Sequence, residues 1–255
     1  MKKNTRGIIV YSIILGLFLI GMVTYQYLKS GRLATIQIEL PAGTSLFIDD
    51  KALGTNPAEN ASYFETTVPI GTHTILVARD DYWPWKKDIE VKVGDVERLN
   101  PFLARQSSMG FIIGEADPEY DALRVAINSI KVPTKTDKLV SSSRKVALWA
   151  EETILFAEWI GDIASIPEYF CLEGGCTSAL EVYRSNVPIS NITFYPERED
   201  VAVISTGEKI IAIELNKKGT QNFQPIFSGT APQFVISSQN TILVLDNNQL
   251  LELAP

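Results

Sequence analysis

The sequence predicts a mainly β protein with a single N-terminal transmembrane helix, a β-sandwich and a propeller-like meander of about three blades. Three observations lead to this prediction. An uncharged apolar stretch comes near the start of the chain, and short alternating runs bounded by turn residues follow it. Pairs of strands then recur along the rest of the sequence. We expect a cytoplasmic tail over 1–6, a helix over 7–28, a sandwich over 33–105 and a propeller-like domain over 106–255.

The N-terminal prediction depends on the length of the uncharged stretch from Gly7 to Leu28. A bilayer core requires about 20 such residues in a helix. The alternative is a cleaved signal peptide, but its apolar region is shorter and ends in a small-residue site that this stretch lacks. Basic residues are more frequent before the stretch than after it. This bias predicts a single-pass membrane protein with a cytoplasmic N-terminus and an extracytoplasmic bulk.

Short strand-like runs alternate with turn signals between 33 and 105. Ala34 to Leu40 leads into a Pro-Ala-Gly turn, and Leu46 to Ile48 leads into an Asp-Asp-Lys turn. Two further runs cover Thr74 to Ala78 and Ile89 to Val93. Several short strands within about 70 residues, with no competing helical period, predict a compact antiparallel sandwich.

The same region resembles the PEGA domain, a small β-sandwich module common on prokaryotic cell surfaces. The residues that carry the resemblance are Pro41, Gly43, Asp49, Gly54, Pro57, Gly71, Tyr82 and Trp85. Two positions depart from the family pattern, because Asp81 precedes Tyr82 where a glycine is common and the eponymous quartet reads Pro-Ala-Gly-Thr. The resemblance implies a cell-surface module tethered to varied partners. Glycine at 43, 54 and 71 is expected where the chain reverses with a positive φ.

Three strand pairs recur after residue 106. They are Val146–Trp149 with Thr153–Trp159, Val201–Ser205 with Ile210–Leu215, and Thr241–Asp246 with Leu250–Leu253. A repeat of about 40–50 residues with several strands per unit is typical of propeller blades. Closed propellers need about four blades, and only a weak fourth unit is indicated, over Phe111 to Ile130. The alternative is a meander whose open edge is covered by a partner.

The two cysteines, Cys171 and Cys176, flank four residues. A close, even pair in an exported domain is most simply a disulfide, with free thiols as the alternative. Zinc would need about four ligands, and the lone histidine, His73, is distant in sequence. The sequence therefore predicts a disulfide and no metal site.

No catalytic or cofactor-binding residues are predicted. His73 lies within a predicted strand and is expected to pack there, which excludes the usual nucleophilic triads. The Asp49-Asp50 and Asp80-Asp81 pairs are expected to form turns, with a Ca²⁺ site as the alternative. The net charge of −7 disfavours nucleic acid as a partner.

The tryptophans are the candidate binding residues. Of Trp83 and Trp85, one is expected to pack on the sheet and the other to stay exposed. Trp149 and Trp159 are expected in the core, and the alternative is an aromatic platform for a sugar ring or a peptide. The function that we expect is that of a non-enzymatic, membrane-anchored envelope protein that binds a cell-wall polymer or an envelope protein through its β modules. The alternative is an extracytoplasmic sensor or regulatory subunit that acts through a helix partner in the membrane.

Overall fold

The computed structural model describes residues 15–22, 32–56, 60–106, 110–172 and 175–253. The described chain is mainly β, as the sequence predicts. The strands of the N-terminal half are β1 (Leu33–Leu40), β2 (Ser45–Ile48), β3 (Lys51–Thr55), β4 (Ser62–Pro69), β5 (Gly71–Ala78), β6 (Trp85–Val91), β7 (Val96–Leu99) and β8 (Gly110–Ile113). The later strands are β9 (Leu139–Val140), β10 (Val146–Glu151), β11 (Ile154–Trp159), β12 (Cys171–Leu172), β13 (Gly175–Cys176), β14 (Ala179–Arg184), β15 (Ile189–Phe194), β16 (Val201–Thr206), β17 (Lys209–Glu214), β18 (Phe223–Ser228), β19 (Gln233–Ile236), β20 (Ile242–Asp246) and β21 (Gln249–Leu253).

The predicted transmembrane helix requires a correction. The described helix covers 15–22, which is about 12 Å at 1.5 Å per residue. Among the described residues, no helix is long and apolar enough to cross a membrane. On this finding the predicted spanning helix and the single-pass membrane location are wrong. The rest of the predicted span, 7–14 and 23–28, lies outside the described residues, as does the predicted tail, 1–6.

The predicted sandwich region folds into two sheets. One has the strand order β4-β1-β7, and the other has the order β3-β2-β5-β6. Apolar side chains at alternate positions of β1, from Ala34 to Leu40, are buried, together with those of β2 and β5. The sandwich is not wholly antiparallel, because β1 pairs in parallel with β7. A parallel pair needs a long crossover, and the chain from β2 to β6 provides it.

Three further four-stranded antiparallel sheets follow. The first sheet has the order β14-β11-β10-β9, the second β15-β16-β17-β18 and the third β19-β20-β21-β8. They contain the three predicted strand pairs, but the prediction of a propeller-like fold is wrong, since the sheets do not form a closed propeller. The weak fourth unit supplies no blade: its first residues form β8, which pairs with the last strand, β21.

The rest of that fourth unit forms α1 (Tyr120–Asn128). Tyr120 and Ile127 are buried, and Leu123 packs beside them against the third sheet. Their spacing follows a helical period of 3.6 residues. The sequence therefore carries a helix signal over a region in which strands were predicted.

Two 3₁₀ helices and a disulfide complete the fold. The first 3₁₀ helix covers Ile163–Ser165, and the second covers Glu168–Phe170. Directly after them, Cys171 and Cys176 pair across β12 and β13 and form a disulfide, which confirms the sequence prediction.

The sandwich and the second and third sheets share one apolar core. Val203 and Ala212 of the second sheet and Val244 of the third belong to the same buried cluster as the sandwich interior. The connecting segment is buried too, since Phe102 and Ala104 are each 2% exposed. The predicted domain boundary at 105/106 thus lies beside a packed segment.

Candidate functional site

A cleft of about 560 Å³ lies where the sandwich meets the second sheet. We call it the junction cleft. Its walls come from β7, the second 3₁₀ helix, the loop between β15 and β16, and the chain at and after the end of β17. The volume is within the range of about 300–1,000 Å³ that is usual for small-molecule sites.

The cleft is rich in charge and predominantly acidic. Its three cations are Arg98, Arg198 and Lys218. Its six carboxylates are Glu97, Glu168, Glu197, Glu199, Asp200 and Glu214. Acidic residues outnumber basic ones two to one, so the electrostatic potential of the cleft favours cationic groups.

Lys218 joins three elements at the floor of the cleft. Its Nζ donates to Glu168 at 2.7 Å and also to Glu97, whose side chain is 3% exposed. Burial raises the pKa of Glu97, although the Lys218 ammonium opposes this effect. Burial alone would lower the pKa of Lys218, but its bonds to Glu168 and Glu97 outweigh burial and raise that pKa.

A buried ion pair lies directly behind the cleft. Lys87 of β6 is fully buried, and its Nζ donates to Glu214 at 3.0 Å and to the carbonyl of Asn216 at 3.1 Å. Burial lowers the pKa of Lys87 and raises that of Glu214, while their mutual attraction acts in the opposite direction on both. Asn222 Nδ2 donates to the same carboxylate at 3.0 Å. The sandwich is thereby bound to the second sheet through a fully hydrogen-bonded charge pair.

A glycine allows the second-sheet loop to reach the sandwich. Gly219 has a φ of +68°, and a Cβ there would lie 1.9 Å from the carbonyl oxygen of Asp88. Only glycine fits this approach. The next residue, Thr220, donates its backbone N–H to that oxygen at 3.2 Å. The loop that carries Lys218 is therefore held against β6.

Arg198 fixes the opposite wall. Its guanidinium binds Asp200 with two bonds of 2.7 Å and donates to the carbonyls of Asn100 and Pro101 at 2.6 and 3.0 Å. Bidentate pairs of this kind are among the stronger protein hydrogen bonds. They hold the β15–β16 loop against the chain that leaves the sandwich.

Glu199, at the rim, is held by serines. Its carboxylate accepts from the backbone N–H of Ser143 at 2.8 Å and from the hydroxyl of Ser142 at 3.2 Å. Burial alone would raise the pKa of Glu199, but these hydrogen bonds outweigh it and lower the pKa. Glu197 accepts from Asn240 at 2.9 Å.

Two lining groups remain available to a ligand. The Tyr169 hydroxyl and the Arg98 guanidinium have no hydrogen-bond partner among the described residues. Burial raises the pKa of Tyr169, and the nearby Asp200 and Glu199 add to the effect. The hydroxyl is thus a donor at neutral pH. The carboxylates are already engaged in hydrogen bonds or ion pairs, so the Tyr169 hydroxyl and the Arg98 guanidinium are the groups that can bind a ligand directly.

The predicted tryptophans lie outside this cleft. Trp85 is fully buried in the sandwich, Trp159 is 8% exposed and donates to the carbonyl of Asp162, and Trp83 is 36% exposed. Trp149 is 3% exposed, stacks on Phe156 with centroids 5.2 Å apart and has an indole N–H without a partner in the described part of the chain. A binding role for these residues stays a prediction, and the accessible ring is that of Trp83.

The PEGA-like positions are mostly turn and core residues. Gly43 and Gly71 have positive φ values, as expected, but Gly54 lies in β3 without one. Asp49 caps a turn by accepting from His73 at 2.7 Å and from the backbone of Thr74 at 3.0 Å.

The remaining PEGA-like positions surround the same sandwich. Pro41 follows β1. The Tyr82 ring packs against the guanidinium groups of Arg79 and Arg105, which lie 4.5 and 5.3 Å from its centroid. Pro57 lies outside the described residues.

The sequence alone did not indicate the junction cleft. Its residues come from four separated segments, and their charges look like ordinary surface charges in the sequence. One signal was present: Lys87 alternates with Trp85 and Ile89 on the buried face of β6. A lysine on an apolar face predicts a buried partner.

Comparisons with known proteins add little to this description. No family model matches the chain, and no curated protein matches it. One similar solved structure is a crystal structure of a Bacteroides fragilis NCTC 9343 protein of unknown function, described provisionally as membrane-associated. It is 10% identical over 87% of this chain and 93% of that chain, with a TM-score of 0.24. The resemblance to the PEGA domain therefore stays a prediction from the sequence.

Proposed function

We propose that this chain is a non-enzymatic binding protein whose ligand occupies the junction cleft. The observation that carries the proposal is the cleft itself: an acidic cavity between a PEGA-like sandwich and a second β unit, with a free tyrosine hydroxyl and a free guanidinium in its lining. Its other charged groups are already paired and hold the walls in place. Preorganised walls reduce the entropy that binding costs.

The proposed partner is a cell-wall polymer or an envelope protein that presents cationic groups. The excess of carboxylates in the cleft supports this choice, because opposite charge raises encounter rates and selects partners. The Cys171–Cys176 disulfide supports a function in an oxidising compartment, because disulfides persist there. The alternative of a sensor or regulatory subunit is not tested by the described residues and stays a prediction.

The test is co-sedimentation of the full chain with stripped wall polymer and with isolated cell envelope. The cleft variant is Glu197→Gln with Tyr169→Phe, which removes one carboxylate and the unpaired hydroxyl of the lining. The control is Glu65→Gln with Tyr63→Phe, at exposed sandwich positions. We expect saturable binding that the cleft variant weakens at least tenfold and the control leaves unchanged. Equal binding by both variants would reject the cleft.

A further inference from the structure

Among the described residues, the third sheet ends in the edge strand β8. β21 is the sole partner of β8 among the described residues. Phe111 and Ile112 are 80% and 68% exposed, and they point to opposite faces because successive strand residues alternate. The open edge of β8 thus has an apolar side chain on each face.

Other edges of the molecule are covered. A carbonyl of β6 accepts from the backbone of Thr220, and carbonyls of β14 accept from Lys217 at 2.9 Å and Gln221 at 3.1 Å. The carbonyl of Phe234 in β19 accepts from Asn191. Such contacts occupy backbone groups that an edge strand would otherwise offer to another chain.

Several remaining edges carry residues that discourage pairing. β3 begins with Lys51, β7 contains Glu97 and Arg98, and β18 contains Pro225. Charges and proline on an edge are the usual protection against strand addition. β8 reads Gly-Phe-Ile-Ile and has neither, so it differs from these three edges.

Acidic residues lie opposite β8 in the ladder and directly after it in the chain. Glu252 lies directly opposite Phe111 in the ladder. Four exposed acids follow β8, namely Glu115, Asp117, Glu119 and Asp121. Asp117 is tied to the end of the strand, since it accepts from the backbone N–H of Gly114 at 2.6 Å. A second copy of this chain would bring like charges together, whereas a basic segment would complement them.

We propose that β8 accepts an extended segment of a partner protein as an added strand, with apolar side chains on both faces and Lys or Arg at its ends. Main-chain hydrogen bonds to the open edge would supply affinity, as in other strand-addition complexes. Phe111 and Ile112 would cover apolar side chains on the two faces, and the acids after β8 would bind the basic ends. This edge is separate from the junction cleft.

Two synthetic peptides test the proposal. Both have a central run of Val, which places apolar side chains on both faces of the added strand; one peptide has Lys at each end and the other has Glu. Binding to the full chain is measured by fluorescence anisotropy for the wild type, for Ile112→Lys and for Val125→Lys. Val125, on α1, is also 68% exposed, so the control adds the same charge at a matched position away from the edge.

We expect the Lys-ended peptide to bind the wild type and Val125→Lys alike, and to bind Ile112→Lys at least tenfold more weakly. The Glu-ended peptide should bind the wild type at least tenfold more weakly. Circular dichroism verifies folding, and Phe111→Lys repeats the test on the other face. Equal binding by Ile112→Lys or by the Glu-ended peptide overturns the proposal. A concentration-dependent dimer that Ile112→Lys abolishes also overturns it, because a second copy would then occupy the edge.

Discussion

The junction between the sandwich and the second sheet and the open edge of the third sheet are opposites. At the junction, polar groups are buried and paired, with Lys87 fully enclosed against Glu214. At the edge, apolar side chains are exposed and the outer side of β8 is unpaired in the described chain. Buried pairing makes one arrangement of the junction strongly preferred, whereas exposure leaves the edge free to change partners. Substitutions should therefore lower the free energy of unfolding strongly at the junction and only slightly at the edge.

The largest loss of unfolding free energy is expected from Lys87→Met. It leaves the Glu214 carboxylate buried without its cation, which costs about 3–5 kcal/mol of unfolding free energy. Urea unfolding measures the change. Lys86→Met, an exposed neighbour on the same strand, should stay within about 0.5 kcal/mol of the wild type. Equal losses for both variants would mean that the buried pair does not hold the junction.

A smaller loss of unfolding free energy is expected from Gln224→Ala. The Gln224 amide donates to the carbonyl of Phe102 at 3.0 Å and accepts from the backbone N–H of Ala104, so its removal leaves both backbone groups buried and unpaired. The expected cost is about 2 kcal/mol. The exposed Gln239→Ala is the control for urea unfolding, and a Gln224 variant as stable as this control would contradict the described linker contacts.

The acid stability of the cleft rim depends on Glu199. Its folded pKa is lowered from 4.5, so its stabilisation is complete above about pH 4.5 and is lost as the pH falls through the lower folded value. Melting temperatures are measured from about pH 7 to about pH 3. At neutral pH, Glu199→Gln should melt at a lower temperature than the wild type, and this difference should disappear at low pH. Glu208→Gln, at an exposed hairpin, should show no such difference, and a difference of constant size for Glu199→Gln would contradict the assignment.

The smallest stability effect is expected at the edge. Ile112→Lys should change the unfolding free energy by no more than about 0.5 kcal/mol, because the side chain is already in water. Urea unfolding beside Val125→Lys measures it. A loss as large as that of Lys87→Met would show that the edge is part of the core, and the contrast between the two regions would fail.

The sequence predicted features that depend on local pattern. Alternating runs located β1, β2 and β5, and the three later hairpins appear with the predicted strands. The close cysteine pair forms the expected disulfide. In each case, neighbours in sequence determine the result through periodicity or loop length.

Features that depend on distant segments were not predicted. The cleft joins Glu97 to Lys218, 121 positions apart, and a sequence pattern carries no information on such a contact. The parallel pairing of β1 with β7 is of the same kind. The helical spacing of Tyr120, Leu123 and Ile127 was readable but was overlooked in favour of a strand repeat.

Hydrogen exchange of the full chain with and without saturating stripped wall polymer locates the ligand most directly. We expect slower exchange at the junction cleft, over 97–100, 167–170, 197–200 and 214–218, with β8 unchanged. Slower exchange confined to β8, or no change within the cleft segments despite saturable binding, would contradict the assignment of the ligand to the cleft.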